Sequence, residues 1–137
     1  MEQKIRTDVW FYTCSFGVAG NLWEKVQMND LTQKKCVPCE EGTPPLTAEQ
    51  YEPLLKQLRL DWEVIDDKKI KHEFKFDSYL EGLEFAQKVG KLADGEDHHP
   101  NIHIYYKRVV IDLTTHNIGG LSENDFIMAA KIEDLQT

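Results

Sequence analysis

From Thr43 onward the spacing of apolar residues changes sharply from one segment to the next, and each change marks an element. "GTPPLTAEQY" supplies a proline turn and then Thr47 followed by Gln50, a capping box, with Leu46 and Tyr51 at the two positions of a hydrophobic staple. A helix is predicted to begin there. Leu54, Leu55 and Leu58 continue its apolar face, while Pro53 removes a backbone donor and should bend or loosen it. "DWEVIDDKKIKHEFKF" alternates in period two: Trp62 and Val64, a turn at Asp66-Asp67-Lys68, then Ile70, His72, Phe74 and Phe76. This is a hairpin with one buried face, on which His72 reads as a hydrogen-bonded core or edge histidine rather than a ligand.

"DSYLEGLEFAQKVGKLAD" returns to helical spacing, with Leu80, Leu83, Ala86, Val89 and Ala93 near one stripe and Ser78 to Glu81 as a second capping box. "NIHIYYKRVVIDLTTH" reads as two strands, Ile102 to Tyr106 and Arg108 to Thr114, joined by a tight turn near Lys107. A Gly-Gly break and a third helix from about Ser122 close the chain. The expected class is α+β: two layers, a four-stranded, mainly antiparallel sheet with three helices on one face, in the order α-β-β-α-β-β-α. On the other sheet face, Lys71, Glu73, His103 and Asp112 point to water, while Tyr105 and Val110 hint at subunit association.

Residues 1–27 are aromatic and rich in small residues but show no sustained period. They are read as an extension or the product of a mis-set start, since Met28 resembles a natural beginning. Residues 1–42 are thus an N-terminal extension to which the pattern assigns no structure, and residues 43–137 form the domain. "VWFYTCSFGVAG" could pass for a signal-peptide core, but Asp8 interrupts its entry and no small-residue cleavage site follows.

Charge narrows the partners. With 24 acidic against 16 basic residues and a net charge of −8, the chain lacks the basic surface that nucleic acid requires. No apolar run reaches the roughly 20 residues of a membrane helix, so no membrane partner is expected. Three cysteines, an odd number, favour a reducing compartment over a disulfide framework, and the cytoplasm is the expected location.

The densest chemistry lies in "GEDHHPNIH", residues 95–103, which holds three of the five histidines. Zinc needs three or four converging ligands. Adjacent His98 and His99 point apart if extended, and Pro100 biases His99 toward that backbone. Cys36 and Cys39 form a single C-x-x-C, which supplies two ligands at most, and the "EEGTPP" that follows is not the helix start of a redox pair. No metal is expected. Proton transfer suits imidazole better, because it gives and accepts a proton near neutral pH. If Ile102 to Tyr106 and Arg108 to Thr114 are antiparallel neighbours, His98, His99 and His116 gather at one end of the sheet, near the start of the last helix.

These blocks, "DHHPNIH" and "LTTHNIGGLSENDF", together with "PPLT", "LLKQL" and "HEFKF", resemble the signature of the pterin-4a-carbinolamine dehydratases over residues 43–135. "CVPCEEG" is similar to bacterial-type members. The resemblance implies a hydro-lyase that converts 4a-hydroxytetrahydropterin to quinonoid dihydropterin plus water, without metal or organic cofactor, in tetrahydrobiopterin recycling. It places catalytic histidines at His98, His99 and His116 and pterin contacts at Asp94, Asp97, Thr114, Thr115, Asn117 and Asp125. His98 and His116 would make the two proton transfers and His99 would position the hydroxyl; a homodimer or homotetramer is implied as well. Asp94 stands where many members carry Glu, and Ile102 where animal relatives carry a tryptophan.

Plainer readings stand beside these. Asp125 could complete a capping box with Ser122, Asp97 could cap its loop, His103 reads as an exposed or interface strand residue, and Asp112 as solvated. The alternatives to a dehydratase are a dimerisation or coactivator-type binding protein and a pterin-binding relative in molybdenum-cofactor metabolism.

Overall fold

Asp66 and Asp67 both adopt positive φ, 52° and 55°, and turn the chain between β1 (Glu63–Ile65) and β2 (Lys69–Lys75). Aspartate tolerates this left-handed backbone better than most residues, and two such positions in succession match the twist of a tight hairpin. A computed structural model describes residues 30–136, so the readings made of residues 1–27 lie outside the described residues. The other elements are α1 (Asp30–Gln33), α2 (Ala48–Leu55), α3 (Tyr79–Glu96), β3 (Asn101–Tyr105), β4 (Arg108–Leu113), a 3-10 turn at His116–Ile118 and α4 (Glu123–Leu135).

The four strands form one antiparallel sheet in the order β1-β2-β4-β3. Strand β4 is central: Phe74 and Ile104 flank Val109, while His72 and Ile102 flank Ile111. Alternation then sends Ile70, Phe74, Val109, Ile111 and Leu113 into one core with Val89, Phe85, Phe126 and Ile132 of the long helices. The α+β class with helices packed on a four-stranded antiparallel sheet is therefore observed. There are four α-helices among the described residues rather than three. The extra one, α1, is four residues long and too short to show a period, although its Leu31 is fully buried.

Local signals hold where they were strongest. Capping boxes form at Thr47–Gln50, Ser78–Glu81 and Ser122–Asp125. Helix α2 ends two residues after Pro53 and relaxes into shorter turns, with Gln57 N–H donating to Leu54 O and Leu58 N–H to Leu55 O. His72 Nδ1–H donates to Asp61 O, 2.8 Å away, and its ring lies against Trp62 and Phe74.

Two assignments change. Leu80, placed on the buried stripe of α3, is 63% exposed; the face that meets the core is Gly82, Phe85, Ala86, Val89 and Ala93. The helix rides close on the sheet at Gly82, where an added Cβ would stand 3.4 Å from Val109 Cγ2, and Phe85 and Val89, three and seven residues on, share its face, whereas Leu80 lies about 180° from Val89. Asp112, expected in water, is buried on the opposite sheet face. Its Oδ2 takes Lys69 and His103, each at 3.3 Å, and its Oδ1 has no hydrogen-bond partner among the described residues. Among the described residues no helix is long and apolar enough to cross a membrane.

Candidate active site

The site is built where two chain reversals meet. Helix α3 stops at Asp97, which adopts the left-handed conformation (φ 54°, ψ 36°) while its N–H and that of His98 both donate to Ala93 O. This satisfies the helix end as a glycine cap would. The chain then passes His98, His99 and Pro100 into β3. On the neighbouring strand, β4 gives way to Thr114, whose hydroxyl donates to Lys68 O at 2.7 Å, and to Thr115, which bridges to Gly120. Between them lies the short turn His116–Ile118, closed by Gly119 at φ 69°. Gly120 is required by space: a Cβ there would fall 2.7 Å from Pro45 Cβ.

Helix α4 starts beside this loop. Its capping residue Ser122 and third residue Asp125 close the box, with Ser122 N–H donating to Asp125 Oδ2 at 2.9 Å. The same oxygen accepts the Thr115 hydroxyl at 2.9 Å. Thr115 has one proton to give, so its 2.7 Å contact with Ser122 Oγ is one in which Ser122 donates. The other carboxylate oxygen, Oδ1, lies 2.7 Å from His98 Nε2. Capping and histidine binding are therefore simultaneous roles of Asp125, one for each oxygen.

Burial sets this pair apart. The His98 side chain is 11% exposed and that of Asp125 is 0% exposed. An ionised carboxylate only accepts, so His98 Nε2 carries the hydrogen and Nδ1 is left with no described partner. His99 pairs with Asp94 at 2.9 Å, but here the side chains are 59% and 81% exposed. His103 pairs with Asp112. Three histidines within six positions thus engage three different carboxylates, and among the described residues no metal-ligand cluster forms.

His116 and Asn117 are exposed on the turn that follows Thr115. The structure joins His98, Asp125 and Thr115 in one hydrogen-bonded set; His99, next to His98 in the chain, pairs with Asp94, and His116 and Asn117 follow Thr115 in the chain with no hydrogen bond to the set among the described residues. Asp97 is exposed and serves as the helix cap. Ser122 was legible as a cap but not as a partner of Thr115.

A second set, missed in the sequence, borders the first. Cys36 N–H donates to Glu96 Oε2 at 3.1 Å, and Glu96 Oε1 holds Lys131 Nζ at 2.5 Å. Asn124 grips Val37 at two points, accepting its N–H at 3.0 Å and donating to its O at 2.6 Å. The hydrogen bond with Lys131, working against partial burial and helped by the Cys36 N–H, keeps the Glu96 carboxyl below its usual range. Burial and the neighbouring Glu96 charge push the Cys36 thiol up to about 12. Cys36 and Cys39 are both free thiols.

Residues 44–135 match the family described as pterin 4 alpha carbinolamine dehydratase. An Alkaliphilus metalliredigens protein, provisionally named as such a dehydratase, is 44% identical over 110 residues, which cover 80% of this chain and 99% of the relative. A Methylococcus capsulatus protein with the same provisional name is 49% identical over 106 residues, 77% of this chain and 92% of the relative. Among solved structures, a transcriptional coactivator/pterin dehydratase from Brucella melitensis superposes with a TM-score of 0.63 at 30% identity, covering 68% of this chain and 99% of that one.

Proposed function

The chain belongs to the pterin 4 alpha carbinolamine dehydratase family, and from that premise we propose that it is a hydro-lyase acting on a 4a-hydroxytetrahydropterin, with residues 43–137 as the catalytic domain. The observation that carries the reading is the contact between His98 Nε2 and the buried Asp125 carboxylate, which orients an imidazole whose second nitrogen has no partner among the described residues.

The reaction needs one base and one acid. The base removes the N5 proton, the N5–H electron pair forms the N5=C4a double bond, and the C4a–O bond breaks as the acid protonates the departing hydroxyl. Quinonoid dihydropterin and water result, with no net oxidation. His98 and His116 are assigned these two transfers. Asp125 holds His98 in one tautomer and stabilises the imidazolium whenever it forms. His99, steadied by Asp94, positions the hydroxyl. Asp97, Thr114 and Asn117 flank the pterin, and Thr115 acts through its bond to Asp125.

The cellular role is tetrahydrobiopterin recycling in the cytoplasm by a homodimer or homotetramer. Ultraviolet monitoring of 4a-hydroxytetrahydropterin breakdown, with and without chelator, tests the activity. Acceleration in both conditions is expected; tight pterin binding without acceleration would instead favour a binding role of the coactivator type.

A further inference from the structure

Residues 34–39 run across the end of α3 and the start of α4 and are bonded to both. The attachment points are next to the reacting pair: Glu96 stands two residues before His98, and Asn124 one residue before Asp125. Glu96 spends one carboxylate oxygen on the Cys36 N–H and the other on Lys131 of α4, so it ties this segment and both helices together. Asn124 uses its side-chain oxygen and nitrogen on the backbone of Val37, separated from it by 87 positions. Lys34 adds an exposed ion pair to Glu123 at 2.5 Å.

We infer that Glu96 and Asn124 are positioning residues: by clasping residues 36 and 37, they fix the end of α3 against the first turn of α4 and so hold His98 at hydrogen-bond distance from Asp125. The inference rests on the dehydratase reading for its kinetic consequence, but not for its geometry. A hydrogen bond at 2.7 Å tolerates little relative motion of the elements that carry it, and functional groups must be held to within about 0.5 Å to act together. Asn124 is nearly buried and its amide is committed to the clasp. Replacing it frees the segment without touching either member of the pair.

The test uses the full chain and the variants Asn124→Ala and Glu96→Gln. Long-range nitrogen–proton NMR of the His98 ring reads the tautomer directly, whether or not the protein is an active enzyme. A single Nε2–H tautomer is expected in the parent and a mixture in each variant. With 4a-hydroxytetrahydropterin, kcat should fall by roughly 10- to 100-fold with KM within about twofold, the scale of a 1 Å misplacement. Folded variants that keep the parent's tautomer and kcat would overturn the inference. If Asn124→Ala does not fold, Glu96→Gln, which keeps an acceptor for the Cys36 N–H, gives the same two readouts. An inactive parent whose His98 tautomer still becomes mixed in the variants would remove the dehydratase reading and support the clasp.

Discussion

His98 and Asp125, 27 positions apart in the chain, meet at 2.7 Å, and the carboxylate that receives the imidazole is the same one that closes the N-terminus of the last helix. Position and charge are thus fixed by one residue. Asp125→Asn keeps an oxygen but adds an N–H pair, so the amide can donate to His98 and reverse its tautomer. A loss in kcat of about 10²-fold or more is expected, by analogy of physics with carboxylates that orient catalytic histidines. Asp125→Ala should also cost stability, about 1–3 kcal/mol for the lost cap and the buried donors left unpaired. Steady-state kinetics and urea denaturation separate the two effects.

Burial separates His98 from its neighbour His99. His99, 59% exposed and paired with an aspartate that is 81% exposed, gains little from that pair, because solvent screens it. His99→Ala should lower kcat less than His98→Ala does, by about tenfold or less if its task is orientation. Parallel measurement of both variants under saturating substrate gives the ordering.

Gly120→Ala tests the close approach of the site loop to the proline turn. The added methyl would fall 2.7 Å from Pro45 Cβ, so backbone must shift. Overpacking of this kind costs about 1–3 kcal/mol, and the thermal midpoint should drop accordingly.

Glu96 supplies a pH dependence of stability. Its folded-state carboxyl is held low by the bond to Lys131, below the roughly 4.3 of an unfolded glutamate. The stabilisation is therefore fully present above the unfolded value and is lost as pH falls through the folded one. The stability gap between the parent and Glu96→Gln should be widest near pH 7, should begin to narrow as pH falls toward roughly 4.3 and should close as pH falls through the folded value. Denaturant midpoints at several pH values provide the check.

Cys36, with its thiol pushed up to about 12 by burial and Glu96, should stay unalkylated in the folded protein at neutral pH, since only the thiolate reacts. Mass spectrometry of peptides after brief iodoacetamide treatment, native against denatured, would show it.

What could be read in advance was local. The three capping boxes and the Asp66-Asp67 turn depend on neighbours within a few residues, and all of them form. The antiparallel pairing of β3 and β4 followed from the tight turn near Lys107. The remainder depended on distant contacts. Leu80 is the exception: nine residues before Val89, it stands about 180° round the helix from it, so the period itself excludes it from the face that Phe85 and Val89 share. The burial of Asp112 comes with its place on an inner strand, between Lys71 and Asn101 of its neighbours. The clasp joins Cys36 to Glu96 across 60 positions, which no periodicity records.

His98 and His116 are the residues proposed to move the two protons of the dehydration. The most direct test is the ultraviolet decay of 4a-hydroxytetrahydropterin with the parent, His98→Ala and His116→Ala, each shown to be folded by circular dichroism. Each variant should lose about 10²- to 10⁴-fold in turnover, the usual contribution of a general acid or base. Parent-like turnover in either folded variant would contradict the assignment of that histidine, and in both it would contradict the account.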